Sequence, residues 1–143
     1  MSNETIVVGS DHAGFSLKET LKEALKAKGF ETLDVGTNSP DSVDYPDFAH
    51  KLAKAIEDGT ATRGVLVCGS GIGISIAANR HSVIRAVNST SPEMAKLARQ
   101  HNDANVLALG ERLVDESVAL ECLDAFLNTD FEGGRHQARV EKI

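Results

Sequence analysis

The sequence predicts a single α/β domain, with a five-stranded parallel sheet between helices on both faces. Three observations lead there. Short β-branched apolar runs alternate with amphipathic stretches from one end of the chain to the other, the pattern of successive βαβ units. Two of those stretches stop at a glycine, the usual residue just past a helix end. The 143 residues have the size of one domain and carry no linker, repeat or low-complexity tract, so 1–143 is read as one unit.

The elements follow in order. Thr5–Val8 (TIVV) is a β-branched run ending at Gly9. Phe15–Lys28 places Phe15, Leu21 and Leu25 among lysines and glutamates and stops at Gly29, which predicts a helix. Glu31–Val35 reads as a second strand, and Gly36–Pro46 as a polar loop rich in turn residues. A helix is expected over Asp47–Glu57, closed by Gly59. Gly64–Val67 is a third strand, feeding a glycine-rich turn at Cys68–Gly73 and a short helix over Ile74–Asn79.

Val83–Val87 is the expected fourth strand. Ser91-Pro92-Glu93 then combines an N-cap residue, a proline at the first helical position and an acid in the first turn. That helix is expected to reach about Gln100. Asn105–Leu109 is the fifth strand and Asp115–Leu127 an amphipathic helix. A last helix starts after Gly133-Gly134.

Composition narrows the partners. A net charge of −6 argues against a general nucleic-acid or anionic-membrane binder, which needs a basic face. No stretch approaches the roughly 20 apolar residues that span a bilayer, and the N-terminus lacks the basic and apolar segments of a signal peptide. Two cysteines do not make a disulfide framework, so a reducing compartment is expected. The expectation is a soluble, cytoplasmic protein.

In parallel α/β folds, ligands bind beyond the C-terminal ends of the strands. Three segments there carry chemistry: Ser10-Asp11-His12-Ala13-Gly14, Cys68-Gly69-Ser70-Gly71-Ile72-Gly73, and Asn88-Ser89. The glycines of the second let the backbone turn tightly and aim N–H groups inward, at the start of a helix. Such a loop is an anion cradle for a phosphate or a developing enediolate oxygen; a plain glycine turn is the alternative. It is not a P-loop, because no Lys-Ser or Lys-Thr follows.

Cys68 stands just ahead of that loop, where a helix N-terminus favours a thiolate. A thiolate there can take a proton from carbon beside a carbonyl. Position alone leaves it open between that role and a small buried hydrophobe. Cys122 lies among Val118, Leu123 and Phe126 on a helix and reads as core. His12, in a loop beside Asp11, has a better claim on function than His101, which at a helix C-terminus reads as a dipole partner. His50 and His81 carry no site signal, and His136 stays open.

Arg135 and Arg139 share a helix face; they form either a solvated basic face or a phosphate clamp. Arg112 follows the fifth strand. There is no HExxH, CxxC or acidic EF-hand loop, so no metal ligand set and no cofactor are expected. Proton abstraction beside a carbonyl of a phosphorylated substrate fits this kit better than phosphoryl transfer.

Five strings together, SDHAG at 10–14, DYP at 44–46, CGSGIGISIAANR at 68–80, RQHNDANVLALGER at 99–112 and EGGRHQARV at 132–140, resemble the B-type ribose-5-phosphate isomerases and the related allose- and galactose-6-phosphate isomerases. The resemblance runs over nearly the whole chain, in order. It implies a Rossmann-like three-layer αβα domain and a homodimer, often paired into a tetramer, with active sites across the dimer interface. It implies metal-independent interconversion of ribose 5-phosphate and ribulose 5-phosphate through a cis-enediolate.

Carried onto this chain, the resemblance makes Cys68 the base, Ser70 the assisting hydroxyl, and the amides of Gly69, Ser70, Gly71, Ile72 and Gly73 the enediolate cradle. It makes His101 the acid that opens the furanose ring, with Asn102 a substrate contact beside it. Asp11 meets sugar hydroxyls, and His12, Arg112, Arg135 and Arg139 meet phosphate and sugar, some from the partner subunit. One branch of the family has a Glu aligned with Ile74 in place of the cysteine; Cys68 and the apolar Ile74 put this chain in the cysteine branch. The alternatives are a six-carbon sugar-phosphate isomerase, such as one for allose 6-phosphate, and a non-catalytic sugar-phosphate-binding module. A dinucleotide site is disfavoured, since the first turn lacks a GxGxxG pattern.

Overall fold

The computed structural model describes residues 4–143; the first three positions of the N-terminal stretch read above for a leader lie outside them. Five strands, β1 (Thr5–Ser10), β2 (Glu31–Asp34), β3 (Arg63–Cys68), β4 (Ala86–Asn88) and β5 (Val106–Gly110), form one sheet in the order β2-β1-β3-β5-β4. Every ladder is parallel. Helices α1 (Phe15–Ala27), α2 (Tyr45–Glu57), α3 (Ile72–Ala78), α4 (Pro92–Asn102), α5 (Glu116–Asn128) and α6 (Arg135–Val140) complete the αβα sandwich.

Strand alternation sorts the core into two layers. Ile6, Val8, Val65, Val67, Leu107 and Leu109 face Leu17, Leu21 and Leu25 of α1 and Ala119, Cys122, Leu123 and Phe126 of α5. Val7, Leu66, Cys68, Val106 and Ala108 face α2 and α3, through Ala49, Leu52, Ile74 and Ala78. The period of two along each strand produces this division. The central strands β1, β3 and β5 are almost wholly buried, whereas the edge strands β2 and β4 are half-buried. Leu21 and Leu25 are fully buried, each stabilising the fold by about 1.5–3 kcal/mol.

Several boundaries differ from the sequence expectation, and three of them bear on the site or on the edge of the sheet. Helix α2 begins at Tyr45 and takes Pro46 into its first turn, where a missing N–H costs nothing. Helix α3 begins at Ile72 and includes Gly73. Strand β4 is Ala86–Asn88 rather than Val83–Val87. The residues before it turn instead: Ile84 N–H donates to His81 O at 3.0 Å, and the Asn105 side chain holds Arg85 N–H at 2.7 Å and Val83 O at 2.8 Å. Cys122 is core, as read.

A buried ion pair anchors the end of β2. Lys18 Nζ, only 1% exposed, donates to both oxygens of Asp34 at 2.7 and 2.6 Å, and Lys22 Nζ donates at 2.7 Å. Asp34 Oδ1 also accepts from Gly36 N–H at 2.8 Å. Gly36 O in turn accepts from Ser10 N–H at 2.8 Å, which ties this network to the end of β1.

Candidate active site

The C-terminal ends of β1, β3 and β5 lie side by side, paired through Ser10–Val67 and Cys68–Gly110. After β1, Asp11 is buried and its Oδ1 accepts from Gly14 N–H at 3.0 Å, closing a side-chain turn. His12 follows, half-buried. Its Nδ1 accepts from Val43 N–H at 3.2 Å, so a neutral ring carries its proton on Nε2 and has that nitrogen free to donate.

After β3, the chain folds a tight backbone cradle. Cys68 is 4% exposed, and its Sγ accepts from Gly71 N–H at 3.1 Å. Ser70 Oγ accepts from Ile72 N–H at 3.1 Å. The loop is stitched to β5 by Glu111 N–H donating to Cys68 O and Arg112 N–H donating to Gly69 O, both at 3.0 Å. Gly71 has φ +79, and a Cβ there would stand 2.6 Å from Asn88 Oδ1 and 2.9 Å from the Leu109 carbonyl carbon. Only glycine fits that position and turns its N–H toward the sulfur.

Two side chains cover the cradle. The Arg112 guanidinium lies over Gly69, where an added Cβ would be 3.1 Å from it. The Tyr45 phenol lies over Gly73, 2.9 Å from the corresponding Cβ position at its hydroxyl oxygen. The sequence alone does not single out Tyr45 as a site residue, although DYP at 44–46 is among the strings that carry the family resemblance. Reading Pro46 as the end of a loop hid the helix start that projects this ring. Asn88 Oδ1, beside Gly71, is buried without a hydrogen-bond partner among the described residues.

The remaining expected residues lie elsewhere in the chain. Helix α4 runs back from the end of β4 to the start of β5, so His101 and Asn102 arrive at the N-terminal edge of the sheet. There Asn105 O accepts from Gly64 N–H at 2.9 Å, at the start of β3. Gly64 and Cys68 are four residues apart along β3, roughly 13 Å. The C-terminus of α4 is fixed by Asp103 at φ 49, whose carboxylate meets Arg99 at 2.8 Å and Arg85 at 3.3 Å.

His101 stacks on His136 of α6, ring centroids 4.4 Å apart and 15° from parallel. Burial, then the facing His101 and Arg135, push the His136 pKa below the ordinary imidazole value. His136 Nε2 stands 3.5 Å from Glu132 Oε1. Arg135, Arg139 and Asn102 are exposed at this corner. The ligand atoms of His101, Glu132 and His136 lie within 4.8 Å of one another, a spacing suited to a metal ion. One chain therefore unites Asp11, His12, Cys68, Ser70, the cradle amides and Arg112 at one edge of the sheet. His101, Asn102, Arg135 and Arg139 it gathers at a separate corner.

The family model for ribose/galactose isomerases matches residues 6–143. The ribose-5-phosphate isomerase B of Escherichia coli K12 is 49% identical over 138 residues, 96% of this chain and 93% of that protein. A ribose 5-phosphate isomerase from Thermotoga maritima superposes with a TM-score of 0.96 at 49% identity, covering 99% of this chain and 97% of that one. The Mycoplasma genitalium ribose-5-phosphate isomerase B, solved with ribulose 5-phosphate bound, superposes at 0.94 with 42% identity over 99% and 95% of the two chains.

Proposed function

The chain belongs to the ribose/galactose isomerase family, and we infer from that membership and from its site how it acts as an enzyme interconverting ribose 5-phosphate and ribulose 5-phosphate. The observation that carries the mechanism is the Cys68 sulfur, held at the end of β3 by Gly71 N–H at 3.1 Å. It supports Cys68 as a base held against a loop of backbone amides. That is what proton abstraction beside a carbonyl requires.

We propose that the working site is composite. Cys68 and His101 lie at opposite edges of the same sheet, so a homodimer supplies the second half. The partner's His101 protonates the furanose ring oxygen as the anomeric hydroxyl gives its proton to water, leaving an open-chain aldehyde. The partner's Arg135 and Arg139 hold the phosphate with Arg112 and His12. The Cys68 thiolate takes the C2 proton, and negative charge moves onto O1 as the cis-enediolate forms. Amides of Gly69 through Gly73 stabilise that oxygen; one such donor is worth about 3 kcal/mol. The O2 proton passes to O1 with the help of the Ser70 hydroxyl, and the Cys68 thiol returns its proton to C1. Neither half of this step uses a metal.

Isomerisation of ribose 5-phosphate in EDTA, with allose 6-phosphate alongside, tests the reading. Turnover of the five-carbon sugar that collapses in a folded Cys68→Ala variant supports it. Turnover of only the six-carbon sugar keeps the mechanism and changes the substrate. Unchanged turnover in Cys68→Ala removes Cys68 as the base.

A further inference from the structure

The corner between α4 and α6 holds more than an acid and two arginines. His101, Glu132 and His136 bring two imidazoles and one carboxylate within 4.8 Å of one another. The backbone presets this grouping. Glu132 N–H donates to Gln100 O at 3.1 Å, pinning the loop against the last turn of α4. Gly133 and Gly134, at φ 66 and 52, then turn the chain sharply so that Glu132 and His136 face each other.

We propose that His101, Glu132 and His136 form an inhibitory site for a borderline transition-metal cation of the Zn²⁺ type. Two nitrogens and one oxygen are the donor set that suits such an ion and not the hard cations Mg²⁺ or Ca²⁺. Tetrahedral Zn²⁺, with ligands at about 2.0–2.1 Å, holds its donors roughly 3.4 Å apart. His136 and Glu132 already stand at 3.5 Å. The Glu132 side chain is half-exposed and can swing, and the His101 ring, stacked on His136 at 4.4 Å, has to turn out of that stack to aim its nitrogen at the same ion. Three protein ligands leave a fourth position open for water, which makes the ion exchangeable. Arg135 and Arg139 on the same helix oppose a cation, but both are exposed and screened by solvent.

The inhibition rests on the role given to His101: a metal-bound imidazole cannot become the imidazolium that protonates the sugar ring. Zn²⁺ binding stands without that role.

Equilibrium dialysis of the EDTA-stripped full-length protein against Zn²⁺ is the test, with initial rates measured from ribose 5-phosphate. One ion per chain is expected, with turnover suppressed and restored by EDTA. Losing a group that only orients a metal ligand costs about 10–100-fold in metal affinity, so Glu132→Ala is expected to weaken binding by about 100-fold or more. Its metal-free turnover stays at the parent level. Cys68→Ala keeps its Zn²⁺. Equal binding by Glu132→Ala and the parent overturns the site, as does loss of binding in Cys68→Ala, which would put the metal on the thiolate. Glu132-dependent binding with unaltered turnover upholds the site and instead refutes His101 as the ring-opening acid.

Discussion

At the C-terminal edge of the sheet, the groups placed for chemistry belong largely to the backbone. At the corner between α4 and α6, they belong to side chains on half-buried and exposed helix faces. The edge is fixed by ladders and by loop hydrogen bonds such as Gly71 N–H to Cys68 Sγ at 3.1 Å. The corner is fixed by one ring stack, the Glu132 N–H to Gln100 O hydrogen bond and the Arg99–Asp103 ion pair. The difference matches the tasks proposed for them. Stabilising a developing oxyanion needs donors that do not reorganise. Gripping a phosphate and opening a ring needs charge and reach, which long exposed side chains supply.

Substitutions can break this contrast, and the largest effect is expected at Cys68. Cys68→Ala should fold as the parent does and lose about 10²- to 10⁴-fold in turnover, the contribution of a positioned general base. Mixing it with an inactive His101→Ala chain, after unfolding and refolding together, sharpens the comparison. In a closed two-fold dimer, a heterodimer has one site with both groups intact, and random pairing should restore about a quarter of parent activity. No recovery would mean that the corner and the edge do not serve one site.

Next in size is Asp34, which supports the edge from behind. Asp34→Ala leaves the buried Lys18 charge with only the half-exposed Glu19 carboxylate, 3.4 Å away, and should cost up to about 3–5 kcal/mol in urea unfolding. Burial raises the Asp34 pKa, but hydrogen bonds from Lys18, Lys22 and Gly36 outweigh it and hold the carboxyl below its ordinary value. The folded protein therefore sheds that proton more readily than the unfolded chain. The stabilisation is complete above the unfolded value of about 3.9 and fades as pH falls through the lower folded value. The parent should lose stability over that acid window more steeply than Asp34→Ala; parallel curves would remove Asp34 from the account.

Arg139→Ala should leave stability within about 0.5 kcal/mol, as for an exposed residue. Loss of a charge-assisted bond worth about 1.5–3 kcal/mol should raise KM by about 10- to 100-fold. A stability loss in place of the KM change would show that the corner is structural. Gly71→Ala should cost more than the about 1–2 kcal/mol of forcing a Cβ into the left-handed region, because that Cβ also meets the Leu109 and Gly110 backbone. It should also lower kcat, because the amide turned toward the sulfur shifts with the backbone; retained kcat would mean that this N–H does nothing for turnover.

Much of this arrangement was legible in the residues. TIVV, GVLV and VLAL are strands because their apolar runs are short and continuous, and the Ser91 cap is present, its Oγ accepting from Met94 N–H at 3.2 Å. The cradle announced itself through its glycines. Strand order was not legible, since nothing in the residues of β4 and β5 says which lies next to β3. The turn before β4 was hidden because Val83 and Ile84 look like strand, while the Asn105 side chain far along the chain holds them in a turn. His101 had no local signal beyond a helix C-terminus; only the family resemblance gave it a role. The direction of α4 then put it at the far edge of the sheet.

Strand β5 lies between β3 and β4 yet follows both in the chain, and that order constrains how the protein is made. Until Val106–Gly110 has left the ribosome, β3 presents an open apolar edge and β4 has no partner, since it pairs only with β5. The sheet cannot be completed by zipping strands in order of synthesis; its penultimate position is filled last, by insertion. Pairings of that kind are non-local and slow to form, and the unfilled edge is a template for association with other nascent chains. A message truncated between α4 and β5 would therefore yield an aggregating polypeptide and not a smaller folded domain.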